Sequence, residues 1–296
     1  MKRVLTIIII LFILHPSFSQ SGFSWSSISA RDSISYIYDL ETNAYHEAYI
    51  AYMRKASGSS SIYSETILSK YSQNGNLEWE KIIDGDSRVS DMITSKSGIY
   101  FVGQSESQIS IASNIVSPFS MFYGKLDRSG NLVWLKSVDS LYAYNSRLGL
   151  KSSGEIVLSS ELNFRNSYLL TIDTFGNLLE SKFLNEILIG DFVIGNNDEI
   201  IIGGMATAPG TIDNLVISPP STYSNSVLKL NPDLTAEWVA HSEYITFDYH
   251  QRIEILNNKV FFFNRSQNST NPLSGEIIVY DLQGNLIQNK RINSFM

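Results

Sequence analysis

Four apolar runs in this chain end on a small residue, and twelve positions upstream of each stands a charge. Gly103 leads back to Asp91, Ser159 to Arg147, Gly203 to Asp191 and Asn264 to Arg252. Near the start of the chain, where the longer stretch "DLETNAYH" intervenes as a turn, Asp32 is the counterpart. Three carboxylates and two guanidinium groups at matching places in a repeat fit two chemistries. They can hold a polar ligand or ion, or they can neutralise one another and nearby backbone, since structural ion-pair networks imitate sites. The second reading is preferred. Tyr144, Tyr249 and His250 stand in connections close to these charges. Aromatics beside polar groups suit sugar or peptide contact, and they equally suit ordinary loop packing.

Paired carboxylates raise the question of glycoside hydrolysis, which needs an acid and a base or nucleophile about 5–5.5 Å apart for retention or about 6.5–9.5 Å for inversion. Asp32, Asp91 and Asp191 are the ring candidates, and the two arginines among them are expected to lower a carboxyl pKa rather than raise it. No matching glutamate stands out as the acid, so the expectation is a non-enzyme. No Gly-x-Ser-x-Gly, phosphate-loop or zinc-helix motif occurs. His46, His241 and His250 lack close metal-ligand spacing, and "DGDS" at 84–87 is too short for a calcium loop. The chain has no cysteine, which excludes thiol chemistry, Cys-ligated zinc and iron–sulfur clusters. Neither a metal nor a cofactor is expected.

A repeat positions these charges. "SQNGNLEWEK", "DRSGNLVWLK", "DTFGNLLESK" and "DLQGNLIQNK" share a Gly-Asn-Leu turn at Gly75, Gly130, Gly176 and Gly284, and "NPDLTAEW" puts Leu234 in the glycine place. The spacings are 55, 46, 58 and 50 residues, in the range of propeller blades. Each unit reads as four short strands. In the second, these are "VSDMITS", "IYFVG", "MFYGKLD" and "NLVWLKSV". The second segments ("EIVLSS", "EIIIGG", "KVFFFN") are continuous apolar runs, as expected of strands buried on both faces. "D-x-x-G-N-L" is the hairpin loop before the fourth strand, with the aspartate bonding the turn backbone and glycine accepting a positive φ. Trp79, Trp134 and Trp238 share one place in that fourth strand, Trp25 in "GFSWSS" fits it too, and blade packing is the preferred reading for them.

Written out, the unit resembles the secreted bacterial β-propeller repeats of SBBP type, most closely over 91–136. The resemblance implies an all-β propeller of four-stranded antiparallel blades and no catalytic residues, because the repeated motif is structural. Five third strands argue for five blades. Fourth strands number six when "GFSWSS" is counted, so one is surplus. It adds to a blade edge, or the chain is an incomplete arc of a six- or seven-bladed ring. A closed five-bladed ring is preferred.

The N-terminus carries Lys2, Arg3, an apolar run from Val4 to Leu14, then Ser17 and Ser19 at the −3 and −1 places of a cleavage site. Eleven apolar residues fall short of the ~20 that span a bilayer. Residues 1–19 are therefore expected to be a signal peptide and 20–296 a propeller domain of about five repeats. The mature chain, with 20 basic against 29 acidic residues, carries −9 and is exported to the periplasm or beyond. No basic stripe remains for nucleic acid, and no membrane span follows signal cleavage. The expected role is a non-catalytic binding or scaffold module recognising a glycan or protein through its long-loop face. The alternatives are a propeller glycoside hydrolase and the N-terminal part of a larger surface protein. Oligomeric state is not legible.

Overall fold

The computed structural model describes residues 34–55, 64–139, 141, 145–163, 165–245, 251–268 and 271–293. Asp32, Tyr144, Tyr249 and His250 lie outside them, as do Trp25 and the expected signal peptide. Among the described residues every regular element is a strand.

The strands make five four-stranded antiparallel sheets. Sheet I is β1 (Ile34–Thr42), β2 (Ala48–Lys55), β3 (Ser64–Tyr71) and β4 (Leu77–Ile83). Sheet II begins with β5 (Ser87–Ser95) and β6 (Gly98–Ser105), makes a side ribbon of β7 (Ile109–Ile111) and β8 (Asn114–Val116), and ends with β9 (Ser120–Leu126) and β10 (Leu132–Asp139). Sheet III is β11 (Leu148–Leu150), β12 (Ile156–Glu161), β13 (Ser167–Ile172) and β14 (Leu178–Leu184). Sheet IV is β15 (Ile187–Ile194) and β16 (Ile200–Ala206), a second ribbon of β17 (Gly210–Ile212) and β18 (Leu215–Ile217), then β19 (Ser224–Leu230) and β20 (Ala236–Ile245). Sheet V is β21 (Arg252–Leu256), β22 (Lys259–Asn268), β23 (Asn271–Asp281) and β24 (Leu286–Asn293). Each sheet's first strand adjoins the first strand of the sheet before it, from I through V. The architecture is that of a β-propeller.

The second strands are the most buried, and β6 and β16 are buried along their whole length. Their apolar runs follow from having a sheet packed on either face. Apolar clusters accordingly bridge neighbours rather than belong to one sheet. Tyr49 and Leu68 meet Phe101 and Phe122 between I and II, and Val102 meets Leu158 and Leu170 between II and III. Val157 and Leu169 meet Ile202 and Leu228 between III and IV, and Val227 meets Phe262 and Ile278 between IV and V. Sheet I has one further cluster, in which Ile50, Tyr52 and Ile67 are joined only by its own Tyr71.

The Gly-Asn-Leu hairpin is built as its sequence implies. The Asp127 carboxylate accepts from the Ser129 and Asn131 amides at 2.9 and 2.8 Å and from the Asn131 side chain at 3.0 Å. Asp173 and Asp281 repeat the arrangement. Gly130 takes φ +80°, where a Cβ would come within 2.7 Å of the Trp79 ring. Trp79 in turn donates its Nε1–H to the Arg128 carbonyl at 3.0 Å. Trp134 and Trp238 do the same to the Thr174 and Leu282 carbonyls, over Gly176 and Gly284. Each tryptophan therefore clamps its sheet to the next sheet's turn, which bears out blade packing for these three.

Two expectations change. "DLET" is not turn but the end of β1, and only Asn43–Glu47 make the bend. β1 lines the inside of the assembly and has a wet face, so its polar residues imitate a loop in the sequence. The long connections at 105–120 and 207–226 are also more than loops. Ser110 exchanges backbone bonds of 3.0 and 2.8 Å with Asp84, just beyond β4, while Ile109, Ile111 and Val116 sink into the cluster around Ile83. Ile212 and Ile217 likewise pack with Leu184, and Asp213 takes the Ala236 amide at 2.8 Å and pairs with Lys182. Radiating sheets splay apart with distance from the centre, and these ribbons fill the wedge at seams I–II and III–IV.

Candidate functional site in the channel

Asp91, Arg147, Asp191 and Arg252 do occupy equivalent places on β5, the approach to β11, β15 and β21. The sheet I member is Asp39, opposite Ala51 in the register, and not Asp32. Ala51 is the small residue twelve positions on, so the spacing rule holds once β1 is read correctly. A register shift ends at Asp39, Asp91 and Asp191 alike, and bulges of this kind re-aim a side chain. The aspartates stand in mid-strand, not at the mouth of the channel as the spacing alone suggested.

Each aspartate reaches the next sheet. Asp39 accepts from the Met92 amide at 2.7 Å, Asp91 from Leu148 at 2.6 Å and Asp191 from Ile253 at 3.1 Å. An arginine has no acceptor for such an amide. Arg147 Nε instead lies 3.5 Å from Asp191 Oδ1, and its Nη1 donates to the Ser90 carbonyl at 3.4 Å. Arg252 Nη1 lies 3.7 Å from Asp191 Oδ2 with its side chain 63% exposed. Both arginines also act on Asp39, so the charges from all five sheets gather about one region.

The electrostatics correct the expectation of depressed carboxyls. Burial raises Asp191 despite Arg252 and Arg147. Burial also raises Asp39 against its backbone bonds and the arginines. Asp91 stands well above the usual carboxylate range, through burial first and the Asp39 charge second, with Arg147 opposing. Desolvation disfavours the charged form, and here it exceeds the attraction of cations set at ion-pair distance.

Glu41 was missed in the sequence. It stands two residues beyond Asp39 and so shares its face of β1. Burial, then Asp39, pushes its carboxyl up to about 7. Among the described residues it has no hydrogen-bond or ion-pair partner. The period of two was the signal, hidden by reading "DLET" as a bend. No group of three or more His, Asp or Glu suited to a metal occurs among the described residues.

On the opposite, short-turn side, Glu47 meets Lys70 at 2.9 Å and Arg128 at 3.1 Å across seam I–II. Burial opposes its ionisation, but bonds from Lys70, Asn43 and Arg128 outweigh that and hold it at about 2. Arg128 also lies over the Tyr45 ring, 4.3 Å from its centroid. This is a clamp between sheets.

No protein-family profile matches the chain, and no curated protein matches its sequence. Solved structures do. The chain is similar to the Dos1 propeller at 13% identity and TM-score 0.52, over 88% of this chain and 61% of that one, so it spans under two thirds of that protein's length. It is similar to the Synechocystis apocarotenoid oxygenase (ACO) mutant Trp149Ala at 10% identity and TM-score 0.45, over 84% and 61%. A third likeness is to the GH43 endo-arabinanase from Bacillus licheniformis, at 8% identity and TM-score 0.37, over 88% and 99%. At such identities the likeness shows the fold alone, and the fold is a propeller.

Proposed function

We propose that the chain is an exported, non-catalytic propeller that binds a glycan or a protein, or scaffolds one, its sheets closing as five blades of an SBBP-like repeat. One observation carries the non-catalytic part. The oxygens of Asp39, Asp91 and Asp191 are committed to backbone amides of the next sheet, which is the work of joining sheets. The groups left to meet a ligand are the solvent-facing Arg252 guanidinium and the half-buried Glu41. The test is a glycan and protein array probed with the mature protein, with Arg252→Ala and Glu41→Gln run in parallel. Saturable binding weakened by either change, at unaltered melting temperature, supports the reading. Absence of any binder sinks it. Export is tested by intact mass from a secreting host, which should begin at Gln20.

A second reading has its own observation. Glu41, at about 7, has the protonation state of a general acid near neutrality, and Asp91 is raised beside it. Turnover of aryl glycosides by the wild type, lost in Glu41→Gln, would replace the binding reading with a glycoside hydrolase.

A further inference from the structure

The repeat assigns a place to every tryptophan but one. The chain has four. Trp79, Trp134 and Trp238 each lie on the turn glycine of the following sheet and donate to the carbonyl two residues before it. Sheet I has the same turn, with Gly75 at φ +77° and the Gly75 amide bonded to the Ser72 carbonyl at 2.9 Å. No described residue comes within 4 Å of where a Cβ on Gly75 would stand. The residue of sheet V in the tryptophan place is Gln288, which is exposed.

Spacing identifies the occupant. The fourth-strand position precedes the channel charge of the next sheet by 12 residues for Trp79 and Asp91, 13 for Trp134 and Arg147, 11 for Glu180 and Asp191, and 14 for Trp238 and Arg252. Trp25 precedes Asp39 by 14. Sheet I also buries Ile50 and Ile67 fully on a face where only its own residues form the cluster. Sheets II to V have no counterpart of that one-sided cluster among the described residues.

We propose that Trp25, carried by the "GFSWSS" segment of the same chain, docks on the Gly75 turn and donates its Nε1–H to the Gln73 carbonyl, so that the segment before β1 forms the outer strand at the seam between sheets V and I. The surplus fourth strand in the repeat count is then a clasp. An aromatic on a glycine turn places a large apolar area at low conformational cost while its N–H keeps a partner.

The absence of native cysteine makes the test clean. Ser26→Cys combined with Asn74→Cys, in the full chain with Trp25 retained, is treated with a short bismaleimide at several protein concentrations. An intramolecular cross-link with concentration-independent yield is expected. Covalent dimers would overturn the proposal in favour of a second copy on the same turn, and no product would overturn it outright. Should the double variant misfold, acrylamide quenching of the wild type minus that of Trp25→Phe reports Trp25 alone. Protection comparable to the other tryptophans is expected, raised to free quenching in Gly75→Leu. Free quenching in the wild type would overturn the proposal.

Discussion

Seams I–II, II–III and IV–V differ from seam III–IV at both ends. In the first three, an aspartate caps the next sheet's amide in the channel and a tryptophan covers the next sheet's glycine at the rim. In seam III–IV the channel residue is Arg147 and the rim residue is Glu180. The glycine is then replaced by Leu234, held at φ +60° and fully buried, and the Pro232 carbonyl takes Lys151 at 3.1 Å in place of an indole. Sheet V, with Arg252 and Gln288, carries the second kind of pair. Large residue and small turn, or small residue and large turn, fill the same space. Volume at a seam is conserved even where the residues that supply it are exchanged.

The largest test of this contrast removes a clamp. Trp79→Ala should cost about 3 kcal/mol, near the lower end for a tryptophan because the ring is only half-buried, read by chemical denaturation. A cost under about 1 kcal/mol would mean that the tryptophans decorate the seam.

Converting one seam type into the other comes next. Glu180→Trp should clash with Leu234, and Leu234→Gly should leave a cavity, partly offset by relief of its left-handed backbone. Together they should recover most of the loss, with a coupling of about 2 kcal/mol in a double-mutant cycle. Additive costs would break the idea of shared volume.

In the channel, Arg147→Ala should cost roughly 1–3 kcal/mol at pH 8, because Asp191 and Asp39 lose a cation in a desolvated place. The raised carboxyls can take up a proton instead, so the penalty should shrink at pH 5. A pH-independent penalty would show that packing, not charge, carries the effect.

The smallest effect belongs to Glu41. Its folded pKa of about 7 lies above the unfolded value of 4.5. The folded form therefore binds more protons between the two, and stability falls as pH rises through that window. Glu41→Gln should melt higher than wild type at pH 8, by a gain on the order of 1 kcal/mol after allowing for solvent screening, and match it near pH 4. Equal melting at both would place Glu41 in open water.

Legibility varied by element. The second strands and Gly-Asn-Leu turns were readable because burial on both faces and a forced positive φ leave few residue choices. Asp91, Arg147, Asp191 and Arg252 were readable because a fixed strand length converts spacing into position. Asp39 and Glu41 were lost because a strand with a wet face has the composition of a loop. The ribbons at 105–120 and 207–226 looked like free loops because their apolar residues are few and separated, and their partners lie on the preceding sheet.

By itself the sequence determined the all-β class, the near-fifty-residue unit, the turn chemistry and which residues share a place in the repeat. These follow from local rules, the period of a strand and the conformational range of a residue. Tertiary structure decided that the aspartates cap the neighbouring sheet rather than point to solvent, that burial lifts their pKa values against two arginines, and that Leu234 answers Glu180. Each of these depends on what another sheet brings within a few ångströms, and desolvation and packing at that range are properties of the assembled sheets, not of any stretch of chain.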